Sequence, residues 1–562
     1  LRERNSSKSL LGCRLCPLAA TMAKTLESSA VFSGEEIKPY RIHVSSKYLD
    51  LTKQKLELTR LPHETSELKS RDWWEPKTQV EPLVDFWLER YDWREQEAVF
   101  NDQLPQFRTA VTVPGSESSV RLHFVHVRSP HEHAVPLLLI PPFPFTNLSL
   151  GHLIRPLTEP EDPDEHQPFH VVIPSLPGLG FSDALPSNTP VISATAEILN
   201  LVMLRLSYTY YLVSNTSSAA SSPAEIDWKL TNHLAIDYPG SCLGAHFINP
   251  SLTAPTFKVA PLEWVKWSIA KFFRAPILGY QSEDIRSLSQ TELAPGQSAN
   301  LSSPGPVFII EPNTPSYALC DSPVGLLALV LKVIRVLGVR KEFSAAEIIT
   351  FTQTAWLPGP EAALRLWAHC LTHQEKALST PGKKPNVAIT VFSGNGRDMK
   401  SADIEAQNTR PQAAPISHVC PAWANASYNA VHVRRVTGSP GLVAWDHPEL
   451  IGEGIRGLAR RLLSVDDRLK RLEQPSTAPL QGVVVQSGST PSADQGLRPQ
   501  SPRTMPSTPQ VQATWRLERI REASETPKKT QQEEGGRAPD PDFDGASPDT
   551  IVVTPPLNEG LR

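Results

Sequence analysis

The stretch HVVIPSLPGLGFSDA, from His170 to Ala184, decides the fold. Its first residues form a short apolar run that ends at a turn rich in proline and glycine, which is the pattern of a buried strand. Four further runs are also predicted to be short buried strands: Leu137–Ile140, Tyr208–Ser214, Val387–Phe392 and Ala430–Val436. Because helical patterns or turn clusters separate these runs, they predict an α/β fold with a mostly parallel sheet and crossover helices.

Two segments have the apolar period of helices that pack on such a sheet. Leu199, Val202 and Leu206 recur at steps of three and four residues. The last helix follows Asp446, His447 and Pro448, and one set of residues gives it an apolar face: Leu450, Ile451, Ile455, Leu458, Leu462 and Leu463.

The composition bounds the classes of function. The 562 residues are 40% hydrophobic and 20% charged, enough for at least one large core. A net charge of -4 gives no general field that would collect nucleic acid, so we expect no nucleic-acid partner. Six scattered cysteines indicate reduced thiols; Cys13 and Cys16 have CxxC spacing but no second pair, so we expect neither a metal nor a cofactor.

No membrane-spanning segment is predicted. The longest apolar runs, such as Val324–Leu331, end at lysine or arginine far short of the roughly 18 residues that a spanning helix needs. The stretch Leu10–Ala20 contains Arg14 and lacks the continuous apolar core of a signal peptide. We therefore expect a cytoplasmic protein, with peripheral membrane association and the oligomeric state left open.

Composition also divides the chain into three parts. A polar leader covers residues 1–36, and a tail rich in proline, serine, threonine and glutamine covers residues 475–562. Both are predicted to be disordered, since their apolar residues are too sparse to offset the entropy of ordering. The body between them carries the periodic patterns.

Five segments of the body have long matches to one family. They read KPYRIHVSSKYLDLTKQKLELTRLP (38–62), VDFWLERYDWREQEAVFNDQLPQF (84–107), the strand and turn at 170–184, PSYALCDSPVGLLALVL (315–331) and WDHPELIGEGIR (445–456). Together they resemble the microsomal-type and juvenile-hormone epoxide hydrolases over about residues 38–470. The resemblance implies an α/β-hydrolase fold with a helical N-terminal epoxide hydrolase domain (37–115), a core in two halves (116–254 and 381–474) and a helical cap (255–380).

The resemblance also implies a chemistry. In that family an aspartate attacks an epoxide carbon, a histidine with an acidic partner activates water on the resulting ester, and two tyrosines hold the epoxide oxygen. A carboxylate opens the strained ring while a phenol donates to the developing alkoxide, and the ester then needs a base to deprotonate water. The implied ligand is a lipophilic small molecule.

The nucleophile position has three candidates. The strand runs into NTSSAASSPAEIDWK (215–229), which lacks the glycines of a sharp elbow. Alignment backward from the following helix puts Glu225 at the nucleophile, whereas Asp227 with Trp228 imitates the family's Asp-Trp pair two residues later. Ser217 is a serine alternative.

Both acids also have structural interpretations. Ser222, Pro223 and Glu225 fit a capping box, with serine at the N-cap, proline at the first helical position and glutamate three residues after the serine. Asp227 lies in the first turn of the same helix, where the helix dipole favours a carboxylate.

The remaining family positions are substituted. Gly441 stands at the histidine, and His447, six residues later, is more typical of a surface or capping residue. Asn395 stands near the acid, with Asp398 as a displaced substitute. The tyrosine positions, identified by resemblance, hold Trp367 and either Pro304 or Gly305.

The loop after the first core strand reads PPFPFT (141–146). Phe143 and Pro144 are expected to face the site. Three of the six residues are prolines without a backbone N–H, so only Phe143, Phe145 or Thr146 could donate to an oxyanion.

Three functions follow from these positions. The first is epoxide hydrolysis to a diol by a displaced set made of Asp227, Asp398 and His447. The second is a catalytically inactive pseudo-hydrolase that binds a lipophilic ligand or serves as a scaffold. The third is ester hydrolysis with Ser217 as the nucleophile, which the same missing histidine disfavours.

Overall fold

The structure is a computed structural model that describes residues 36–63, 76–113, 118–187, 189–219, 222–285, 311–337, 341–373, 375, 384–393 and 419–469. The predicted tail, and the leader up to residue 35, lie outside the described residues.

Nine strands form one sheet in the order β1-β2-β3-β5-β4-β6-β7-β8-β9. Their bounds are β1 Lys38–Pro39, β2 Gln106–Thr112, β3 Ser119–Val127, β4 Val135–Ile140, β5 Phe169–Pro174, β6 Tyr211–Asn215, β7 Cys242–Ile248, β8 Asn386–Ser393 and β9 Asn429–Thr437. The pairings among β1, β2, β3 and β5 are antiparallel, and those from β5 through β9 are parallel. The predicted α/β class with a mostly parallel sheet is confirmed.

Thirteen α-helices have both ends within the described residues. Their bounds are α1 Ser46–Glu57, α2 Lys77–Glu89, α3 Trp93–Gln103, α4 Gly151–Thr158, α5 Val191–Arg205, α6 Ile226–Asp237, α7 Pro261–Phe273, α8 Asn313–Asp321, α9 Pro323–Leu337, α10 Ala345–Trp356, α11 Glu361–Thr372, α12 Val443–Asp446 and α13 Pro448–Leu463. The predicted last helix is α13.

One predicted strand begins later than expected. Ser207 has a left-handed φ of 66°, and the amide of Tyr208 donates to the carbonyl of Met203 at 2.9 Å, a bond that ends α5. This is the geometry of a Schellman-type helix end. The amide of Tyr208 is used there, and the ladder starts only at Tyr211.

The two faces of the sheet carry separate cores. Leu138 and Ile140 of β4 pack with α5 and α6, while the alternating residues Leu137 and Leu139 pack with α4 and α13. Helix α13 lies very close to the sheet, because a Cβ on Gly454 would stand 2.1 Å from Nε2 of His246. Alternation along β4 thus fixes which helices cover which face.

The helices of the cap rest on the N-terminal helices and on the core. Apolar residues of α1 and α2 form one cluster with α9 and α10, and the indole of Trp356 donates to Thr52 at 2.9 Å. On the core side, Gly178 has a φ of +83° and a Cβ there would stand 2.8 Å from Cβ of Ala362 in α11. Glycine therefore permits the close approach of cap and core.

Among the described residues no single helix is long and apolar enough to cross a bilayer. The pair α8 and α9, which is bent by 115°, passes that test together by length and composition only.

Candidate functional site

The candidate site lies where the carboxyl ends of the parallel strands meet, the edge at which open α/β sheets bind ligands. The connection from β6 to α6 runs from residue 216 to 225, far longer than a sharp elbow. At its end Ala224 and Glu225 have left-handed φ values of 53° and 58°. Left-handed backbone at a non-glycine residue costs about 1–2 kcal/mol, so tertiary packing holds this turn.

The predicted capping box is wrong. Ser222 makes no capping hydrogen bond, and the left-handed residues end the short 3-10 turn that Pro223 begins. Glu225 itself becomes the N-cap residue of α6, also without a side-chain cap. A capping box needs helical backbone at the three residues after the serine, and here Ala224 and Glu225 are left-handed instead.

Glu225 occupies the position that the alignment assigned to the nucleophile. Its left-handed backbone is a strained conformation for a residue other than glycine. The turn that it ends packs against cap helix α11, and Glu225 is half-buried. The structure thus places one carboxylate at the start of α6, below the cap.

A group of buried polar residues fills the connection just before this turn. It comprises Asn215, Thr216, Ser217 and Ser218, which we call the polar plug, and each is at most 3% exposed. The amide of Asn215 accepts from the backbone of Ile248 at 3.1 Å and donates to the carbonyl of Ser217 at 2.5 Å.

The polar plug is also tied to neighbouring strands. The hydroxyl of Thr216 donates to the carbonyl of Ile140 at 2.8 Å, and Ser218 accepts from the amide of Asn249 at 3.1 Å. These bonds use the strand-end groups of β4 and the residue that follows β7. The buried side chains of the polar plug therefore find hydrogen-bond partners at the carboxyl ends of the strands.

Asp227 contacts the polar plug and is fully buried. Its carboxylate accepts a short hydrogen bond from the hydroxyl of Ser217. Burial raises the pKa of Asp227 to about 6, and the hydrogen bond from Ser217 opposes this shift. Two of the nucleophile candidates are thus bonded to each other in the interior, where a substrate carbon has no access to either.

The loop after β4 faces the cap. Phe143 and Pro144 line a cavity between cap and core, and the ring of Phe143 lies 6.3 Å from that of Trp367, centroid to centroid. The amide of Phe145, one of three possible oxyanion donors, is already bonded to the carbonyl of Pro142 at 2.8 Å. That donor is therefore not available to a ligand.

This cap cavity has a volume of about 70 Å³. Its walls come from the loop after β4, the turn around Gly178–Gly180, and helices α9, α10 and α11. Three polar side chains contribute to the lining: Thr146, Thr354 and Trp367. Among the described residues that line it there is no aspartate, glutamate, histidine, cysteine, lysine or arginine.

Trp367 is the polar group of most interest in that lining. It is 8% exposed, and its indole N–H has no acceptor among the described residues. The hydroxyl of Thr354, by contrast, donates to the carbonyl of Phe351 at 3.0 Å. A buried donor without a partner costs free energy, which a ligand oxygen could recover.

The two positions expected to hold the base are Gly441 and His447. Gly441 is buried with a left-handed φ of 54°. His447 occupies the N-cap position of α13, as expected of a capping residue, but its side chain makes no capping hydrogen bond. Its ring lies 5.7 Å from Phe392, on the face covered by α13, whereas Asp227 belongs to α6 on the opposite face.

Several predicted positions cannot be located. Asn395, Asp398, Pro304 and Gly305 lie outside the described residues. The structure brings together Phe143, Pro144 and Trp367, and separately Ser217 with Asp227.

Sequence reasoning missed an aromatic cluster beside the cavity. Phe145 and Phe351 have centroids 5.3 Å apart, and both rings contact Trp445, at 5.0 and 5.9 Å. Trp445 follows the substituted histidine position by four residues, so aromatic packing occupies this end of the site. Only the apolar letters of GLVAW (441–445) could have hinted at it.

The chain is similar to known epoxide hydrolases in sequence and in fold. The family model "Epoxide hydrolase N terminus" matches residues 37–150. A putative epoxide hydrolase of Stigmatella aurantiaca is 32% identical over 52% of this chain and 58% of its own length. Epoxide hydrolase 1 of Sus scrofa is 25% identical over 59% of this chain and 71% of its length.

A solved structure shares the fold. The crystal structure of juvenile hormone epoxide hydrolase from Bombyx mori matches with a TM-score of 0.56 at 20% identity, over 76% of this chain and 95% of that one. The chain spans little more than half the length of the Stigmatella relative.

Proposed function

We propose that this chain, which is similar to epoxide hydrolases in its N-terminal domain and its fold, binds a lipophilic molecule under its cap without hydrolysing it. The observation that carries this proposal is the lining of the cap cavity. No described residue in it can act as a nucleophile through a carboxylate or as a base through an imidazole.

Hydrolysis of an epoxide through an ester needs both groups within reach of the ligand. A general base must come within about 3 Å of the water that it activates. Here Asp227 is fully buried against the polar plug, and His447 packs on the other face of the sheet. Catalytic groups act as a unit, so their separation is expected to leave little turnover.

The same cavity suits an apolar ligand with one acceptor oxygen. Leucine, valine, phenylalanine and proline side chains dominate its walls, and Trp367 offers one unused N–H. An ether, epoxide, ester or ketone oxygen is the matching acceptor. Ligand pockets of this kind combine apolar walls with few polar groups.

Size sets a condition on binding. A cavity of about 70 Å³ holds a few water molecules, whereas pockets for drug-sized ligands measure roughly 300–1,000 Å³. The cap must therefore move away from the core when a ligand enters. The close approach of Gly178 to Ala362 would have to open in such a movement.

Equilibrium dialysis of a radiolabelled lipophilic epoxide, such as trans-stilbene oxide, against the full chain tests this proposal. We expect saturable binding, with the unchanged epoxide recovered from the protein. Val330→Trp, which fills the cavity, is expected to weaken binding by more than about tenfold, since the added ring takes the ligand's place. Release of diol, or equal binding by the filled variant, would contradict the proposal.

The role of the indole is tested by Trp367→Phe. Loss of one hydrogen bond is expected to weaken binding by about fivefold. Trp423→Phe is the matched control, because the indole of Trp423 also has no acceptor among the described residues and does not line the cavity. Equal effects of the two changes would show that the N–H of Trp367 does not contact the ligand.

A second candidate rests on Glu225, the left-handed residue at the nucleophile position. Its carboxylate would attack an epoxide carbon, the ring C–O bond would break, and the alkoxide would take a proton from water. With glycine at position 441 no base stands there to hydrolyse the ester.

Intact-mass spectrometry distinguishes this candidate from reversible binding. A stable mass gain equal to one whole epoxide, lost in Glu225→Gln but kept in Glu197→Gln, would establish Glu225 as the nucleophile. Glu197 is also half-buried, and it lies on neighbouring helix α5. An unmodified protein after prolonged incubation would exclude this candidate.

A further inference from the structure

Helix α7 and its flanks carry most of the exposed large hydrophobic residues of the described chain. Ten of the eighteen exposed large hydrophobic residues of the described chain fall between residues 257 and 278. Phe272 is 82% exposed and Leu262 is 76% exposed. We call this region the α7 surface; its most exposed members are Phe257, Val259, Leu262, Phe272 and Phe273. Such a continuous apolar patch marks an interaction site.

The exposed residues form one stripe along the helix. Leu262, Val265, Ile269 and Phe272 follow one another at steps of three, four and three residues, which places them on one side of α7. Phe273 adjoins this stripe, with its ring 5.1 Å from that of Phe272.

The opposite side of α7 is anchored to the protein. Ala270 is fully buried, and the ring of Trp267 lies 5.4 Å from Trp423 and 5.3 Å from Tyr280. Because this side is fixed, the apolar stripe is held outward rather than free to rotate into the core.

The charges around the stripe favour one kind of partner. Lys258, Lys266, Lys271 and Arg274 stand against one acidic residue, Glu263, within residues 257–278. Lys266 forms an ion pair with Glu263 at 2.8 Å. Basic side chains beside exposed phenylalanine and tryptophan are typical of helices that lie in the interface of an anionic bilayer.

We propose that the α7 surface docks on a lipid bilayer that carries anionic headgroups, with its phenylalanines inserted at the boundary of headgroups and acyl chains. The 13 residues of α7 extend about 20 Å, less than the roughly 30 Å of a hydrocarbon core. The helix therefore lies in the plane of the membrane. This docking is independent of whether the cap cavity holds a ligand.

Flotation of the full chain with vesicles tests the docking. Vesicles of phosphatidylcholine with about 30 mol% phosphatidylserine present the anionic surface, and pure phosphatidylcholine vesicles are the reference. We expect the anionic vesicles to bind the protein more tightly, by about fivefold for each basic residue that contacts them, and added salt to remove this difference.

The double variant Phe272→Ser with Phe273→Ser is expected to lower vesicle binding by more than about tenfold, because two inserted rings are lost. Tyr317→Ser is the matched control, since Tyr317 is an aromatic residue exposed elsewhere on the cap, and its vesicle binding is expected to stay unchanged.

Three results would overturn the proposal. The first is absence of binding to either kind of vesicle, and the second is equal binding by the double variant and the parent. The third is a parent that ignores vesicles but forms a dimer which the double variant loses, as light scattering would show. That result would assign the α7 surface to contacts between copies of the chain.

Discussion

Asp227→Asn is the substitution that best separates a structural acid from a catalytic one. The carboxyl group is fully buried, and burial raises its pKa to about 6. Asparagine keeps an oxygen that can accept from Ser217 but carries no charge at any pH. We expect the variant to remain folded. As the pH rises, its free energy of unfolding should increase relative to that of the parent.

The sign and size follow from proton linkage. A carboxyl group whose pKa is higher in the folded state adds stability below its unfolded pKa and loses it as pH rises through the folded pKa. A shift from 3.8 to about 6 corresponds to about 3 kcal/mol in full, and roughly half of that loss falls between pH 5 and pH 7.5.

The assay is urea unfolding followed by tryptophan fluorescence at pH 5, 6, 7 and 7.5. Relative to the Asn variant, the parent should lose about 1–2 kcal/mol across this range, while Asp50→Asn on the surface should run parallel to the parent. Ser217→Ala, which removes an opposing hydrogen bond, should steepen the loss. Parallel profiles for parent and Asp227→Asn would refute the buried-acid reasoning.

Three other predictions concern packing and pH. Gly178→Ala would place a Cβ 2.8 Å from Cβ of Ala362 at a φ of +83°, and urea titration should show a loss of about 1–3 kcal/mol. Gly454→Ala would collide with the imidazole of His246; calorimetry should show a lower Tm, which His246→Ala should partly restore. Burial lowers the pKa of His246 and His123 to about 3, so each should cost about 2 kcal/mol of unfolding free energy between pH 7 and pH 5.

Controls for these three predictions follow from the same structure. Gly240→Ala meets no atom within 4 Å and should change stability little. An unchanged Tm in the Gly454 variant, or a parent whose stability rises on acidification, would contradict the packing and the pKa arguments respectively.

Much of the fold could be predicted because its signals are local. The apolar runs that became β4, β5 and β8 are continuous in sequence, and the period of α13 repeats along its whole length. The late start of β6 was missed because Tyr208 is apolar like a strand residue, yet its amide completes the end of α5. A helix end of that kind depends on backbone conformation, which the apolar pattern of the sequence does not show.

The site was less predictable, for a physical reason. Residues Asn215–Ser218 have the composition of a surface turn, and nothing local indicates that each is buried. They are buried because the strand ends around them offer backbone partners, such as the carbonyl of Ile140 and the amide of Ile248. Such partners come from residues far away in sequence.

Helix α7 is the opposite case, because its apolar residues are exposed. Its stripe of Leu262, Val265 and Ile269 reads as the buried face of a core helix, but the structure leaves that face outward. Trp367 was placed at the site by resemblance, whereas the absence of an acceptor for its N–H among the described residues emerges only from the three-dimensional packing.

The most direct test of the central claim is a single-turnover experiment, with the full chain in excess over a radiolabelled lipophilic epoxide and all label accounted for by chromatography. We expect the label to be retained by the protein and recovered as intact epoxide, because no acid or base among the described residues lines the cap cavity. Label recovered as diol, in an amount that grows with protein concentration, would contradict it.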